Sequence, residues 1–254
     1  GERVRQEYPR SADEALADAG GRFFYEFDIS KHVCEPFEIP KDWQIYSTMD
    51  YGLDMLAHYK VAVDSCGCCY VFHEIYKQGL IVSEAAEKIH MADGYNGESW
   101  KLPVCRLAPP DLFARELSSG KSQAYAFEEN GIRLTKSSND RKAGWMYLKE
   151  LLRCRLAPDG TLKPSLRIFS VCRNLIRAMQ NILVDEKDPS DCAREPHELT
   201  HAPDALRYFA VYWYKPAEIK KENDKRSDWT ADMWEDYYSA SDSDREYLKN
   251  KWNL

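Results

Sequence analysis

Three consecutive extended runs constrain the fold of this chain more than any other feature of its sequence. They span residues 43–51, 58–64 and 69–76, are rich in β-branched and aromatic residues, and are separated by short turns. Runs of this composition, bounded by turn residues, are typical of neighbouring β-strands. The sequence therefore predicts an antiparallel meander of three strands.

Helical and extended segments alternate after the meander. Apolar periodicity and end signals place the expected helices at 82–92, 111–115, shortly before 130, 145–155 and 172–181, and the expected strands at 102–107, 132–134 and 166–169. A polar loop over 185–200 then leads into a last apolar helix that begins near His201. This order predicts an α/β fold with a mixed central sheet, antiparallel meander plus parallel strands, flanked by helices.

Length and composition favour one domain with appendages. With 254 residues the chain can bury a full core, and we expect a connector at 1–40, one domain at 41–214 and a charged, aromatic tail at 215–254. No apolar run reaches the roughly 18 residues of a membrane span, and no secretory signal opens the chain. We therefore expect a cytoplasmic protein, without membrane contact, whose eight cysteines are reduced thiols.

The overall charge limits the affinity for nucleic acid that can be expected. The formal net charge is −7, and binding to phosphates depends on Lys and Arg. Tight binding to DNA would therefore need locally concentrated basic residues, or another domain or protein that holds the DNA. Clustered carboxylates do not exclude nucleic acid, because they become a positively charged site once cations bind.

The cysteine-rich segment Cys66-Gly67-Cys68-Cys69 has two interpretations. Together with His73 it suggests a zinc site, but the spacing differs from a Cys-x-x-Cys pair and the chain has no second pair to complete four ligands. The segment lies between two predicted strands. A hairpin turn that happens to be rich in cysteine is the favoured interpretation.

The run from His201 to Tyr208 places an imidazole and a carboxylate on one helix face, because His201 and Asp204 are three residues apart. Asp50 ends the first strand, and Asp111 follows two prolines after a later strand. A sheet can bring such side chains to one edge. Three carboxylates from distant segments favour a site for hard divalent cations, which indicates a metal-dependent nuclease.

Each of these residues also has an ordinary structural explanation. Asp50 suits an Asx turn at the end of a strand, and Asp111 suits the first turn of a helix. Asp204 suits a salt bridge to Arg207, and His201 suits a helix cap. The functional interpretation depends on the residues occurring together.

Several motifs, in order along residues 1–214, resemble the large terminase subunit of tailed bacteriophages. They are Gln-Glu-Tyr-Pro at 6–9, Asp-Glu-Ala-Leu at 13–16, Asp-Tyr-Gly at 50–52, Ala-Pro-Pro-Asp-Leu at 108–112, Lys-Ser-Ser-Asn-Asp-Arg-Lys-Ala-Gly at 136–144 and the run at 201–208. The resemblance implies the C-terminal nuclease domain of that subunit, with a ribonuclease H-like fold. It implies an endonuclease that cuts concatemeric viral DNA when packaging begins and ends. The packaging ATPase would be absent from this chain, in which no P-loop motif occurs.

The resemblance also assigns roles to residues. Asp50 and Asp204 match the first and last acids of the family, and His201 matches the histidine that many members keep before the last acid. Asp111 is offset from the middle acid, which in many members stands directly before a proline. Glu74, on the third strand, is the first substitute if Asp111 is not the middle acid, but a solvent-facing strand position is the favoured interpretation of this residue. The implied cofactors are two divalent cations, Mg²⁺ or Mn²⁺, roughly 4 Å apart.

A basic segment before the helix at 145 offers contacts to phosphates. The candidate DNA-binding residues are Lys136, Asn139, Arg141 and Lys142, extended by Lys121 and Arg207. Such groups position DNA without reading its sequence. A solvated helix start explains the same charges, and the neighbouring Trp145 and Tyr147 fit the core better than a base-stacking role.

Two other functions remain open from the sequence. A junction resolvase or integrase of the ribonuclease H-like class would share the acids, although the motif at 205–208 favours the terminase. A catalytically silent docking module that binds the portal or the small terminase subunit would suit the acidic charge and the aromatic tail. For the terminase interpretation, the expected partners are double-stranded DNA, the portal and the small subunit, in the cytoplasm of a bacterial host.

Overall fold

The computed structural model describes most of the chain between residues 21 and 251. The described residues are 21–52, 54–94, 102–115, 120–156, 160–214, 230–241, 244–245, 248 and 251. The motifs at 6–9 and 13–16, and the first half of the predicted connector, lie outside them. The chain divides into two compact units, Gly1–Tyr214 and Lys215–Leu254.

The described elements of the first unit alternate between strands and helices after an initial meander. The strands are β1 (Val33–Cys34), β2 (Gln44–Tyr51), β3 (Leu56–Val63), β4 (Cys69–Lys77), β5 (Arg106–Ala108), β6 (Thr135–Lys136), β7 (Cys154–Leu156), β8 (Leu162–Pro164) and β9 (Leu166–Phe169). The helices are α1 (Ile29–His32), α2 (Val82–Ala92), α3 (Gln123–Glu129), α4 (Arg141–Leu152), α5 (Arg173–Asn181) and α6 (His201–Tyr214). Short 3-10 turns cover Pro110–Phe113 and His197–Leu199. The second unit contains α7 (Ala231–Ser239).

A seven-stranded mixed sheet lies at the centre of the first unit, in the order β1-β9-β4-β3-β2-β5-β6. Strands β2, β3 and β4 form the antiparallel meander that the sequence predicts. The pairs β2–β5, β5–β6, β4–β9 and β1–β9 are parallel. The predicted mixed α/β sheet is therefore confirmed.

Alternation along β2 decides which residues face helix α6. Thr48 donates a hydrogen bond from Oγ1 to the carbonyl of Ala205 on α6, over 2.5 Å. Tyr51 faces the other side, where its ring packs edge-on against Phe127 of α3. Since side chains in a strand alternate between faces, Asp50 shares the face of Thr48 and is directed towards α6.

The cysteine-rich segment forms the hairpin turn that the sequence favours. It connects β3 to β4, and the Asp64 carboxylate accepts hydrogen bonds from the backbone N–H groups of Cys66 and Cys68, both at 2.8 Å. Gly67 has φ +81°, a conformation that glycine adopts without strain. Among the described residues, the cysteines of this turn belong to no group with metal-ligating geometry.

The helix predicted at 145–155 begins and ends earlier than expected. It starts at Arg141 because the carboxylate of Asp140 caps it, accepting the N–H of Ala143 at 3.1 Å. It ends at Leu152, and the residues of its expected last turn enter β7. Trp145 is 1% exposed, which confirms its assignment to the core.

The predicted bounds of three short elements were wrong. The helix expected at 111–115 is only the 3-10 turn Pro110–Phe113, after which the backbone becomes extended at Ala114. The strands expected at 102–107 and 132–134 are Arg106–Ala108 and Thr135–Lys136. In both strands the parallel pairing with the neighbouring strand sets the boundaries, and apolar composition alone does not show that pairing.

Helix α6 is the most deeply packed helix near the candidate acids. Every residue from His201 to Val211 is buried, although this stretch contains Asp204 and Arg207. Buried charged groups need partners, so their contacts determine what this helix can do. No helix in the described ranges combines the length and the apolar character that crossing a bilayer requires.

Candidate metal and nucleic-acid site

The end of β2 and the start of α6 bring a carboxylate and an imidazole into contact. Oδ2 of Asp50 lies 2.8 Å from Nδ1 of His201, across a separation of 151 residues in sequence. The side chains of Asp50 and His201 are 21% and 9% exposed respectively, so the pair is largely shielded from solvent. The structure thus brings together two of the residues that the sequence singled out.

The other nitrogen of His201 faces two further groups. Nε2 lies 3.1 Å from Oδ2 of Asp54 and 3.3 Å from Nδ1 of His197. Burial lowers the pKa of His201, but the hydrogen bond with Asp50 and the charges of Asp50 and Asp54 raise this pKa above its usual value overall. The imidazole is therefore held between two carboxylates.

Two guanidinium groups hold Asp204. Nη1 of Arg141 donates to both carboxylate oxygens, at 2.7 and 2.9 Å, and Nε of Arg207 donates to Oδ1 at 2.9 Å. A carboxylate has about four lone-pair positions. These three bonds leave one position, on Oδ2, for a cation.

Arg141 also connects Asp204 to the polar loop before α6. Its Nε donates to both oxygens of Asp191 at 2.8 Å, and its guanidinium lies 4.9 Å from the ring centroid of Trp145. The indole of Trp145 in turn donates to Asp191 at 2.6 Å. Arg141 is therefore engaged with two carboxylates and an aromatic face, and 27% of its side chain remains exposed.

The phenol of Tyr208 lies within the electrostatic reach of all three predicted acids. Burial raises its pKa, the charge of Arg207 lowers it, and the charges of Asp50, Asp204 and Asp111 raise it further. Asp111 is exposed, in the 3-10 turn that follows β5. Since β5 runs parallel beside β2, the ends of both strands reach the same edge of the sheet.

The donor set at this edge suits a hard divalent cation. Burial is the main cause that raises the pKa of Asp50, the charge of Asp204 raises it further, and the hydrogen bond with His201 lowers it. A carboxylate pKa that is raised by burial and by a second carboxylate reflects negative charge that a cation would neutralise. Carboxylate oxygens are the ligands that Mg²⁺ and Mn²⁺ prefer.

Solved structures with the same architecture belong to phage terminases. The nuclease domain of the P22 large terminase matches 76% of this chain and 92% of its own length, with a TM-score of 0.56 and 18% identity. The large terminase nuclease of thermophilic phage G20c, with bound cobalt, matches 77% of this chain and 97% of its own, with a TM-score of 0.50 and 12% identity. The fold is that of the terminase nuclease domains.

A longer protein shows the same likeness over part of its length. The large terminase of a thermophilic bacteriophage, solved with ADP, matches 82% of this chain at a TM-score of 0.58 and 18% identity. The match covers 50% of that protein, so this chain spans about half the length of the full-length terminase. No protein-family model and no curated protein matches the sequence.

Within this terminase-type fold, Glu74 has a structural task. Its carboxylate accepts hydrogen bonds from the backbone N–H groups of Asn174 and Leu175 at 3.1 and 2.8 Å, and from the side chain of Asn174 at 2.9 Å. Glu74 therefore caps the first turn of α5. The solvent-facing position that the sequence favoured is wrong, and as an accessory carboxylate Glu74 would have to give up this cap.

The structure contradicts a direct DNA contact by Arg207. This side chain is 1% exposed, donates to Asp204 and lies 4.5 Å from the ring centroid of Tyr208. A guanidinium at this depth does not reach a phosphate on the surface, and Arg207 instead positions Asp204. Lys136 and Asn139, from the same prediction, are exposed.

The remaining two basic residues of the predicted patch form surface ion pairs. Lys142 contacts Asp188 at 2.8 Å, and Lys121 contacts Glu129 at 2.9 Å. Exposed ion pairs contribute little free energy, so both lysines can exchange these partners for phosphates.

Sequence reasoning missed Asp54, His197 and Asp191, all of which contact the predicted residues. His197 and His201 have the four-residue spacing of neighbours on one helix face, and that signal was available in the sequence. Asp54 and Asp191 lie in turns without a motif. Only the folded chain brings them to His201 and Arg141.

Proposed function

We propose that this chain is the nuclease domain of a phage large terminase and that it cuts double-stranded DNA by metal-assisted hydrolysis. The observation that carries the proposal is the contact of Asp50 on β2 with His201 on α6, one turn before Asp204, at one edge of a terminase-type sheet. The cobalt bound to the related phage nuclease supports a divalent cation. A divalent cation is also consistent with the carboxylate oxygens at this edge of the sheet.

In this proposal each acid has a separate task. Asp50 and Asp204 would hold two divalent cations, Mg²⁺ or Mn²⁺, and Asp111 would complete the set from the β5 side. Cations held in this way orient a water molecule and stabilise the leaving oxygen of an in-line displacement. His201 fixes the orientation of Asp50 through Oδ2, while Arg141 fixes Asp204.

Exposed polar residues around the start of α4, together with Lys121 beside α3, would position the DNA. Lys136, Asn139, Lys142 and Lys121 contact phosphates, and the exposed part of Arg141 extends this surface towards Asp204. Contacts of this kind depend on charge and orient the duplex without selecting a sequence. They agree with a nuclease that cuts wherever packaging places the DNA.

The proposed setting is viral DNA packaging. The domain would cut concatemeric viral DNA in the cytoplasm of a bacterial host, together with a packaging ATPase, the portal and the small terminase subunit. The large terminase solved with ADP has a similar domain within a longer chain, which supports the link between this domain and a nucleotide-binding packaging protein.

One observation favours a second candidate, the catalytically silent docking module. Asp204 is already neutralised by Arg141 and Arg207, as it would be in a purely structural ion-pair network. In that case no divalent cation is needed at this edge. A cleavage experiment distinguishes the two functions.

The decisive experiment is cleavage of supercoiled plasmid with Mn²⁺, Mg²⁺ or EDTA. We expect nicking and linearisation that require the metal, and a loss in Asp50→Asn and Asp204→Asn that exceeds the roughly 10–100-fold typical of outer-shell partners. His201→Ala, which removes the partner of Asp50, should reduce the rate by about 10–100-fold. Asp42→Asn, an exposed carboxylate just before β2 at the end opposite Asp50, is the matched control and should cut normally.

Full activity in Asp50→Asn or Asp204→Asn would refute the site, and no cleavage by a folded wild type with any metal would leave either a nuclease that needs its packaging motor or the docking module. A marked preference for branched over linear duplex would point to a resolvase-type enzyme.

A further inference from the structure

Three side chains beside the proposed nuclease centre form a compact triangle of metal-ligating atoms. Oδ2 of Asp54 and Nε2 of His201 are 3.1 Å apart, Nε2 of His201 and Nδ1 of His197 are 3.3 Å apart, and Nδ1 of His197 and Oδ2 of Asp54 are 3.3 Å apart. The triangle is nearly equilateral. Each residue contributes one atom to it.

The size of this triangle matches one face of a tetrahedral metal complex. Zinc binds imidazole nitrogen and carboxylate oxygen at about 2.0–2.2 Å, which places neighbouring ligand atoms of a tetrahedron about 3.3–3.6 Å apart, and the observed separations lie at the short end of this range. An octahedral Mg²⁺ at about 2.0–2.1 Å needs neighbouring oxygens about 2.9 Å apart and avoids all-protein cages. Two imidazoles and one carboxylate are a donor set that favours Zn²⁺, Co²⁺ or Ni²⁺.

The local structure holds the three ligands before any ion arrives. His197 lies in the 3-10 turn His197–Leu199 and His201 begins α6, so the four-residue spacing puts both rings on one face. The rings are edge-to-face, with centroids 4.5 Å apart. Asp54 lies in the turn between β2 and β3, opposite both rings.

Asp50 supplies the outer partner that metal-bound histidines usually have. Nδ1 of His201 is hydrogen-bonded to Asp50, which leaves Nε2 as the ligating nitrogen. A carboxylate in this position fixes the tautomer and the orientation of the ring and makes it a stronger ligand. The side chains of Asp54 and His197 are 55% and 61% exposed, so an ion can enter from solvent.

We propose that Asp54, His197 and His201 bind one transition-metal ion of the zinc type, tetrahedrally, with water in the fourth position. This site is separate from the proposed pair of Mg²⁺ or Mn²⁺ ions, and the two share only the Asp50–His201 hydrogen bond. The proposal does not depend on nuclease activity. It concerns an ion of different chemistry, held by two residues, Asp54 and His197, that the proposed nuclease centre does not use.

The test is a calorimetric titration of the whole chain with Zn²⁺, in excess Mg²⁺ so that hard-cation sites remain filled. We expect one Zn²⁺ per wild-type chain, bound at least 10-fold more weakly by His197→Ala and by Asp54→Asn, because each loses a ligand. His90→Ala removes an imidazole from α2 and should bind like wild type. Thiol binding of Zn²⁺ would be equal in all four proteins.

A second measurement reports the geometry directly. Co²⁺ in the same site should show the strong visible absorption of a tetrahedral complex, and His197→Ala should lose it. The substitution is at an exposed position, and an unchanged urea midpoint would confirm that the fold is retained.

Equal Zn²⁺ affinity in wild type and His197→Ala, or no stoichiometric site in wild type, would overturn the proposal. The cleavage result is independent of this outcome. A chain that binds Zn²⁺ through His197 without cutting DNA would support this site and leave the nuclease proposal unsupported, whereas metal-dependent cleavage without the Zn²⁺ site would refute this site and support the nuclease.

Discussion

Gly144 lies where α4 packs closely against α6. A Cβ at this position would lie 2.4 Å from Cγ and 2.8 Å from Cδ of Arg207, and 3.0 Å from Cγ2 of Val211. These Arg207 atoms belong to the buried stem of a side chain whose guanidinium holds Asp204. The stem cannot move away without pulling on that contact.

We therefore expect Gly144→Ala to destabilise the protein by about 1–3 kcal/mol, the usual cost of overpacking. Helix propensity alone predicts the opposite, a gain of about 1 kcal/mol. Urea unfolding followed by circular dichroism measures the difference. Met146→Ala, at a 61% exposed position on the same helix, is the control and should stay within about 0.5 kcal/mol of wild type. A stabilised Gly144→Ala would contradict this account.

At the scale of elements, a buried ionic group connects the sheet to α2. Nζ of Lys60, on β3, is 3.0 Å from Oδ1 of Asp93 and donates to the carbonyl of Ala92 at 2.9 Å. Asp93, which follows the helix, also binds Arg106 of β5 at 2.5 Å. The Lys60 side chain is completely buried. Two strands and one helix end thus depend on a single carboxylate.

Asp93→Asn should destabilise the protein by about 3–5 kcal/mol, because it leaves the ammonium group of Lys60 buried without its counter-charge. The urea midpoint at neutral pH is the measurement. Asp188→Asn removes a carboxylate from the exposed pair with Lys142 and should leave the midpoint unchanged. Equal changes in the urea midpoint for the two substitutions would show that the charge of Asp93 does not stabilise the buried ammonium group of Lys60.

The sequence predicted helices and strands correctly where one face of the segment is apolar and capping or turn residues mark its ends. The helix over 82–92 and the strand over 166–169 were predicted with the bounds that the structure has. Prediction failed where pairing or capping sets the limits, as at β6 and at the start of α4. There the deciding contacts come from other segments, or from a polar cap that an apolar pattern does not include.

At the scale of the whole molecule, the net charge of −7 and the paired basic residues limit DNA binding. Lys136 is exposed, and no ion pair joins it to another described residue. The register Thr48↔Leu107 and Ala108↔Lys136 puts it level with Met49, close to the end of β2 that carries Asp50. Its charge is therefore available at the edge where the acids lie.

Lys136→Ala should weaken binding to linear duplex and lower the slope of log affinity against log salt by about 1, the effect of one lost phosphate contact. Fluorescence anisotropy across a salt series, with Ca²⁺ in place of Mg²⁺, gives both values. Lys41→Ala removes the same charge just before β2, at the opposite end of that strand, and should change neither value. Identical slopes for the two variants would argue against a DNA surface near Lys136.

The residue types of the candidate site could be predicted, but their partners could not. Asp50, Asp204 and His201 stand out by type and position, and the structure brings Asp50 and His201 into contact. Arg141 forms ion pairs with Asp191 and Asp204 instead of being fully exposed for DNA binding. These contacts exist because folding brings a loop and two helices together. No local pattern contains that information.

Helix α6 completes the core, since all of His201–Val211 is buried. The same helix carries Asp204 and His201 of the candidate site. Its Asp204 and His201 find their partners 63 and 151 residues earlier in the chain. A nascent or proteolysed chain that stops before this helix therefore lacks the site and also exposes the apolar sheet face that the helix covers. Under the proposed function, such a truncated chain would not cut DNA, so cleavage would begin only once the whole domain has folded.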